Sequence, residues 1–252
     1  WESSFFTALG KDPMSDEMID FMDQSGIGTG HIQRITNRRP GLYMIHLSDG
    51  ERSFSYWREH SAARLLADDE ERLSKAVLDA NVVFFSGITL GILHPEAQDS
   101  FLKCMNSAKD SGVLVVFDPN FRPALWPDLK IMRETIQRAA ESASIILPSF
   151  DDEKAAFGDH SADETLARYG GDPKRIVILK NGDGEIIARS EHGTQIFQTH
   201  RVTPVDSTGA GDSFNGAFLA RYVETGDIEK SVKAGQECAS KVIAHHGALI
   251  SR

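Results

Sequence analysis

Residues 206–214, Asp-Ser-Thr-Gly-Ala-Gly-Asp-Ser-Phe, have the types and spacing that could perform chemistry. Their small side chains would leave the backbone N–H groups of Gly209, Ala210 and Gly211 uncovered at the start of a helix, where unpaired donors and the helix dipole attract anions. Asp212 would follow in the first helical turn. Phosphoryl transfer needs this combination, because the N–H groups stabilise the developing charge and the carboxylate accepts a hydroxyl proton. A plain tight turn, with Asp212 only capping the helix, is the simpler alternative.

The elements that must position this turn follow a repeating pattern of short apolar run and amphipathic stretch. Buried apolar strands that alternate with helices predict an α/β fold with a parallel sheet covered on both faces. Ligands bind such sheets beyond the carboxyl ends of the strands. The predicted strands are residues 82–85, 113–117, 145–147, 176–179 and 201–205. The predicted helices are residues 16–24, 95–110, 128–142, 151–169, 212–223 and 227–246.

A β-hairpin is predicted outside this rhythm, over residues 41–58. Two extended runs, at 41–47 and 52–58, are joined by a segment containing Asp-Gly, a strong hairpin signal. Alternation along the second run places Tyr56 and Arg58 on the same face of the strand. The hairpin is too small to stand alone, so we expect a flap within a single domain of residues 1–252.

Composition excludes several classes of protein. The 252 residues include 27 basic and 37 acidic side chains, and the net charge of −10 argues against nucleic acid or an anionic membrane as a partner. The apolar runs are too short to cross a bilayer. Two cysteines, with no signal for secretion, predict a reducing, cytoplasmic setting. The nine histidines show no zinc-site spacing. The glycines of residues 26–30 follow a predicted helix, so we interpret them as a C-cap and loop instead of a dinucleotide site.

Residues 206–214 also resemble the signature of the ribokinase-like, or PfkB, family of sugar kinases. The resemblance implies a three-layer α/β/α fold with a mostly parallel sheet and a β flap, and it implies ATP and Mg²⁺ as cofactors. It makes Asp212 the general base and places Gly209, Ala210 and Gly211 in the anion hole. Neither a Walker phosphate loop nor a protein-kinase His-Arg-Asp loop occurs in the chain.

Two further segments resemble nucleotide motifs of this family. Residues 180–184, Lys-Asn-Gly-Asp-Gly, resemble its nucleotide-binding turn with the second glycine one place early, although an ordinary β-turn would look the same. Ser149 and Asp152 resemble the Asn-x-x-Glu motif with both residue types changed. Asp152 would hold the metal through water, and Glu153 could share or take that role. The ATP contacts implied by the resemblance are Ser149, Lys180, Gly182, Ser207, Gly209, Ala210, Gly211 and Gly235.

The hairpin and residues 118–122 resemble the 2-keto-3-deoxygluconate kinases of the family. In that resemblance Tyr43 and Tyr56 contact sugar hydroxyls, Arg58 and Arg122 bind the carboxylate end, and Asn120 and Asp212 complete the substrate site. Guanidinium groups suit a carboxylate ligand in an acidic protein, whereas a neutral sugar needs none. The alternatives are a solvated Arg58 and an Arg122 that pairs with a neighbouring acid.

We therefore expect an ATP-dependent kinase that phosphorylates 2-keto-3-deoxygluconate and forms a homo-oligomer. Fructokinase or ribokinase activity on a neutral sugar is one alternative, and a non-catalytic sugar-binding or regulatory protein is another. Chains of this family begin with a strand and a Gly-Gly-x-x-x-Asn-x-Ala segment, whereas Trp1 already lies at the strand that follows it. We expect that segment to precede Trp1 in a longer chain, and its genuine loss would favour the non-catalytic alternative.

Overall fold

The computed structural model describes residues 2–48, 51–182, 184–199 and 202–250. The strands are β1 (Ser3–Ser4), β2 (Thr7–Gly10), β3 (Ile27–Gly28), β4 (Ile32–Ile35), β5 (Leu42–Ser48), β6 (Glu51–Trp57), β7 (Val82–Ser86), β8 (Leu114–Asp118), β9 (Ile145–Ile146), β10 (Ile176–Leu179), β11 (Ile186–Ser190) and β12 (Gly193–Phe197). The α-helices are α1 (Pro13–Gln24), α2 (Glu70–Leu78), α3 (Gly87–Ile92), α4 (Pro95–Asp110), α5 (Leu129–Glu141), α6 (Phe150–Phe157), α7 (Ala162–Tyr169), α8 (Ala210–Thr225) and α9 (Ile228–Ile243). Short 3-10 helices occur at Ala62–Leu65 and Pro123–Leu125.

The chain divides into two compact units, residues 1–115 with 122–128 and residues 116–121 with 129–252. The first unit holds β1 to β7, where β1 pairs with β3 and β2 with β4, both in parallel. Strands β5 and β6 form the predicted antiparallel hairpin, with Leu42 opposite Trp57 and Ser48 opposite Glu51. The Asp49-Gly50 turn lies outside the described residues. The single domain predicted for residues 1–252 stays a prediction.

The second unit is built on a sheet with the strand order β12-β11-β10-β9-β8. Strands β8, β9 and β10 run parallel, while β11 and β12 pair antiparallel. Strand β8 begins in the first unit, where β7 is its neighbour in the sheet. The apolar runs are buried as their composition requires, with Val116, Phe117, Ile145 and Ile178 fully inaccessible to solvent. A mostly parallel sheet with a separate hairpin confirms the predicted α/β class.

Helices α8 and α9 pack directly on one another, and the aromatic ring of Phe214 lies at their contact. Phe214, Phe218 and Tyr222 recur every four residues and stack along α8, with centroid distances of 6.1 and 5.8 Å. Gly235 on α9 faces this stripe, and a Cβ there would lie 2.7 Å from the Phe214 ring. Gly235 therefore lets the two helices approach closely.

Two predicted elements are wrong. Residues 151–169 form two helices, α6 and α7, because Gly158 ends the first in the left-handed conformation (φ 81°). The predicted strand at 201–205 is not formed by its described residues, 202–205. The N–H groups of Val205 and Asp206 donate to the carbonyl of Ile243 at 2.8 and 3.2 Å, so the end of α9 takes the place of a neighbouring strand.

Candidate active site

The turn that opens α8 is shaped by one glycine. Gly209 is left-handed (φ 76°) and precedes Ala210, the first residue of the helix. A Cβ at Gly209 would lie 2.8 Å from the Cβ of Ala248. Backbone conformation and close packing therefore both require glycine here. The expectation that this motif opens a helix is confirmed.

The backbone N–H groups of this turn lie at the N-terminal end of α8. Ala210 donates to the carbonyl of Ser207 at a long 3.3 Å, and Ser213 donates to Gly209 at 2.9 Å. The N–H groups of Gly211 and Asp212 lie in the first turn, where an α-helix offers no carbonyl four residues earlier. Gly211 and Asp212 are exposed to solvent. The turn thus presents backbone donors and a carboxylate together at the positive end of a helix dipole.

Asp206 holds the turn from the other side. Its Oδ1 accepts hydrogen bonds from the N–H and hydroxyl of Thr208 at 2.9 and 2.6 Å. Its Oδ2 accepts from the N–H of Gly247 at 3.0 Å, across 41 residues of sequence. The first aspartate of the motif therefore stabilises the loop, and the second, Asp212, lies in the helix.

Several predicted ATP contacts meet at the carboxyl end of β10. Lys180 directly follows that strand, its N–H donates to Pro148 at 2.9 Å, and its carbonyl accepts from Phe150 at 2.8 Å. This backbone pairing places Ser149 beside Lys180. Gly182 is left-handed (φ 51°), a conformation that glycine adopts readily in turns.

The side chain of Lys180 points into a buried polar cluster. Its Nζ donates to Asn215 Oδ1 at 2.9 Å and lies 3.5 Å from Asp118 Oδ2. Asn215 Nδ2 donates to the same Asp118 oxygen at 2.6 Å. Sequence reasoning missed Asn215, whose only signal is a polar residue directly after Phe214 on the buried side of α8. We call Asp118, Lys180 and Asn215 the Asp-Lys-Asn cluster.

The predicted metal carboxylate Asp152 is half-buried in the first turn of α6. Its neighbour Glu153 is fully buried and accepts hydrogen bonds from Tyr169 Oη at 2.6 Å and Arg168 Nη1 at 2.8 Å. Burial raises the pKa of Glu153 to about 7, against the opposing effect of these donors. Glu153 therefore stabilises the contact between α6 and α7. This favours Asp152, and not Glu153, for the predicted role of holding the metal through water.

The hairpin of the first unit brings three predicted substrate residues together. Tyr43 and Tyr56 lie opposite each other in the register, with ring centroids 6.3 Å apart. The Arg58 guanidinium carbon lies 4.1 Å from the centroid of the Tyr56 ring, which confirms that these two side chains share a face. The aromatic ring attracts the cation above it, and the stacking restricts the conformations of the long arginine side chain.

The remaining predicted substrate residues follow β8. Asn120, in the second unit, has φ 34° and donates its N–H to Asp118 Oδ1 at 3.0 Å. Arg122, in the first unit, is exposed and precedes the short helix Pro123–Leu125. Asp118 thus shapes the loop that carries Asn120.

A family model described as pfkB family carbohydrate kinase matches residues 2–252, so the chain belongs to this family of sugar kinases. Within the family, it is 35% identical over 257 residues to a 2-dehydro-3-deoxygluconokinase of Haemophilus influenzae, covering 98% of this chain and 81% of that protein. The Escherichia coli K12 protein of the same name is 32% identical over 255 residues, covering 98% and 82%. A solved E. coli structure titled putative ribokinase II in complex with ATP and Mg²⁺ is 21% identical, with a TM-score of 0.84 over 98% of this chain and 78% of that one. It shows that the fold is the ribokinase-like one.

Proposed function

We propose that this chain transfers the γ-phosphoryl group of ATP to the terminal hydroxyl of 2-dehydro-3-deoxygluconate, also called 2-keto-3-deoxygluconate, to give the 6-phosphate. The observation that carries the proposal is the turn at Gly209, which opens α8 and sets the exposed Asp212 in its first turn. The names of the H. influenzae and E. coli relatives support the choice of sugar acid.

In the proposed reaction, Asp212 accepts the proton of the attacking hydroxyl. The hydroxyl oxygen forms a bond to the γ-phosphorus while the bond from that phosphorus to the bridging oxygen of ADP breaks. The backbone N–H groups of Gly209, Ala210 and Gly211 stabilise the negative charge that spreads over the phosphoryl oxygens. Fixed dipoles suit this task because they need no rearrangement as the charge develops.

The metal would be a magnesium ion that neutralises phosphate charge on bound ATP. Among the described residues no three His, Cys, Asp or Glu side chains are grouped as a metal cage. A single carboxylate such as Asp152 fits Mg²⁺, which keeps several waters and is bound through substrate phosphates with one or two carboxylates. We assign Asp152 to hold it through water. Of the ATP contacts implied by the resemblance, those that we propose besides the anion hole are Ser149, Gly182, Ser207 and Gly235.

The sugar acid is assigned to Tyr43, Tyr56, Arg58, Asn120 and Arg122. The stacked arrangement of Arg58 on Tyr56 supports this assignment, because a restrained guanidinium loses little freedom when it binds a carboxylate. In a protein of net charge −10, an anionic substrate needs such local cations.

The setting that we propose is the cytoplasm, with small molecules as ligands and a homo-oligomeric assembly. Cys104 and Cys238 are both free thiols, as a reducing compartment favours. No described helix is both long and apolar enough to cross a membrane. Net charge argues against nucleic acid as a partner.

The experiment that tests the proposal is a comparison of kcat/KM for 2-keto-3-deoxygluconate, fructose and ribose, with ADP release as the readout. We expect a clear preference for the sugar acid. Preference for a neutral sugar would contradict the substrate and leave the kinase activity standing. Calorimetry with the sugar acid and Mg·ATP completes the test, since tight binding without turnover would support a non-catalytic, regulatory protein instead.

A further inference from the structure

The Asp-Lys-Asn cluster joins three separate elements of the second unit. Asp118 ends β8, Lys180 follows β10, and Asn215 lies in α8. Asn215 uses both ends of its amide, since the oxygen accepts from Lys180 and the nitrogen donates to Asp118. The cluster therefore fixes the separation and rotation of α8 relative to the two strand ends.

The members of the cluster are largely buried, which makes their contacts energetically important. Asp118 is 5% exposed, Asn215 is 1% exposed and the Lys180 side chain is 14% exposed. A charged group with this little access to water is costly unless it is paired and hydrogen-bonded. Loss of any one member would remove a buried hydrogen-bond or ion-pair partner from each of the other two. The arrangement is thus strongly favoured over alternatives in which α8 is rotated or displaced.

The two ends of the cluster lead to predicted site residues. Asn215 lies three residues after Asp212, so both belong to neighbouring turns of α8. At the other end, the second oxygen of Asp118 holds the N–H of Asn120. Asn120 is the one non-glycine among the described residues that adopts a positive φ, and a conformation of this kind persists only where its surroundings enforce it.

We propose that the Asp-Lys-Asn cluster positions Asp212 and the Gly209 turn, with Asp118, Lys180 and Asn215 as positioning residues for phosphoryl transfer. In this assignment Lys180 acts through α8, in contrast to the direct ATP contact that the sequence resemblance implies. The proposal rests on the proposed kinase function. It extends the site to Asn215 and gives Asp118 a role beyond its own loop.

The test is a double-mutant cycle of Lys180→Met and Asn215→Leu, with Lys174→Met, at an exposed position of the same unit, as the control for loss of a lysine. Misplacement of a catalytic group by about 1 Å can cost ~10²-fold in rate. We expect each single variant to lower kcat by about 10- to 100-fold with KM for ATP nearly unchanged. The double variant should be scarcely worse than either single variant, because both remove one shared network.

A direct phosphate contact gives a different pattern. Lys180→Met would then raise KM for ATP strongly, Asn215→Leu would have little effect, and the two changes would add. That result overturns the proposal. Asn215→Ser is a milder replacement that keeps a polar atom in the cluster. If Asn215→Leu does not fold, the same cycle with Asn215→Ser decides between additive and non-additive behaviour.

Amide hydrogen exchange of residues 206–214 provides a readout that does not depend on turnover. We expect faster exchange in the Lys180→Met and Asn215→Leu variants than in the wild type or Lys174→Met, at temperatures well below the melting transition. Unchanged exchange in this segment contradicts the positioning role even if the wild-type protein proves to have another substrate. Conversely, absence of any kinase activity with faster exchange in the variants refutes the proposed function alone.

Discussion

The Gly209 turn and the β5–β6 hairpin are the two regions that we propose to bind ligands, and they offer different parts of the chain for this purpose. The turn offers backbone N–H groups and one carboxylate. Its position 209 requires glycine, because φ is positive there and Ala248 leaves no room for a Cβ. The hairpin offers side chains, two tyrosines and an arginine stacked on one of them. Backbone groups are the same whatever the sugar, whereas side chains can be exchanged without rebuilding the fold. The difference teaches that the turn suits the common chemistry of phosphoryl transfer and the hairpin suits the choice of substrate.

Loss of the carboxylate at the turn should have the largest effect. We expect Asp212→Asn to lower kcat by about 10²–10⁴-fold, the usual contribution of a general base, while Mg·ATP still binds. Steady-state kinetics and calorimetry measure the two quantities separately. Asp163→Asn, which changes another exposed first-turn aspartate, is the matched control. Near-wild-type kcat in Asp212→Asn would make that residue a helix cap and nothing more.

The glycine of the turn comes next. Gly209→Ala should lower kcat more than tenfold and also lower Tm, because the new methyl would lie 2.8 Å from Ala248 Cβ. Gly226→Ala isolates the backbone part of this cost, since Gly226 has a similar φ of 65° but no atom within 4 Å of the place that a new methyl would occupy. Strain of this backbone type costs about 1 kcal/mol. Equal losses of Tm in the two variants would show that packing against Ala248 is irrelevant to the turn.

Substitutions of Arg58 and Arg122 should affect the sugar acid and leave ATP unaffected. We expect Arg122→Leu and Arg58→Leu to raise KM for the sugar acid by about 10- to 100-fold, the value of a charge-assisted hydrogen bond, with KM for ATP barely altered. The gap in kcat/KM between the acid and neutral sugars should narrow. Arg58→Lys keeps the charge but loses the planar fork, and it should recover only part of the affinity. If KM for ATP moves as much as KM for the acid, the division of labour between turn and hairpin is wrong.

The smallest expected effect comes from Glu153, a buried carboxylate outside both the Gly209 turn and the hairpin. The pKa of Glu153 is raised to about 7 by burial, so the folded protein binds a proton there more tightly than the unfolded chain. The contribution of this group to stability is therefore greatest below its ordinary pKa of 4.5 and falls as the pH rises to about 7. We expect Tm to fall over that window, and Glu153→Gln to flatten the fall without changing kcat at a fixed temperature. An unchanged slope in thermal melts of the variant contradicts this account.

Local patterns predicted much of the fold and the turn. The 3.6-residue spacing of Phe214, Phe218 and Tyr222 identified α8, and Pro95 with its amphipathic run identified α4. The hairpin followed from alternation and an Asp-Gly pair. These signals are reliable because each depends on residues that lie close together in the sequence.

The errors and omissions have longer-range causes. Residues 202–205 look like a strand, yet their neighbour is the carbonyl of Ile243 at the end of α9. The missed break at Gly158 is a local exception, because a positive φ ends α6 there and residues 159–161 are all polar. Asp118 and Asn215 are 97 residues apart, so no local pattern could reveal their hydrogen bond. Contacts of this kind depend on how whole elements pack, which propensity and periodicity do not encode.

The hydrogen bond between Asp206 and Gly247 also sets an order of events during synthesis. A ribosome makes residues 206–214 before it makes Gly247, which donates a hydrogen bond to Asp206, and Ala248, which lies beside Gly209. A nascent chain that ends before Gly247 has every residue of the turn but cannot form this hydrogen bond. The turn therefore gains this hydrogen bond only after the residues of all the strands β1 to β12 have been made.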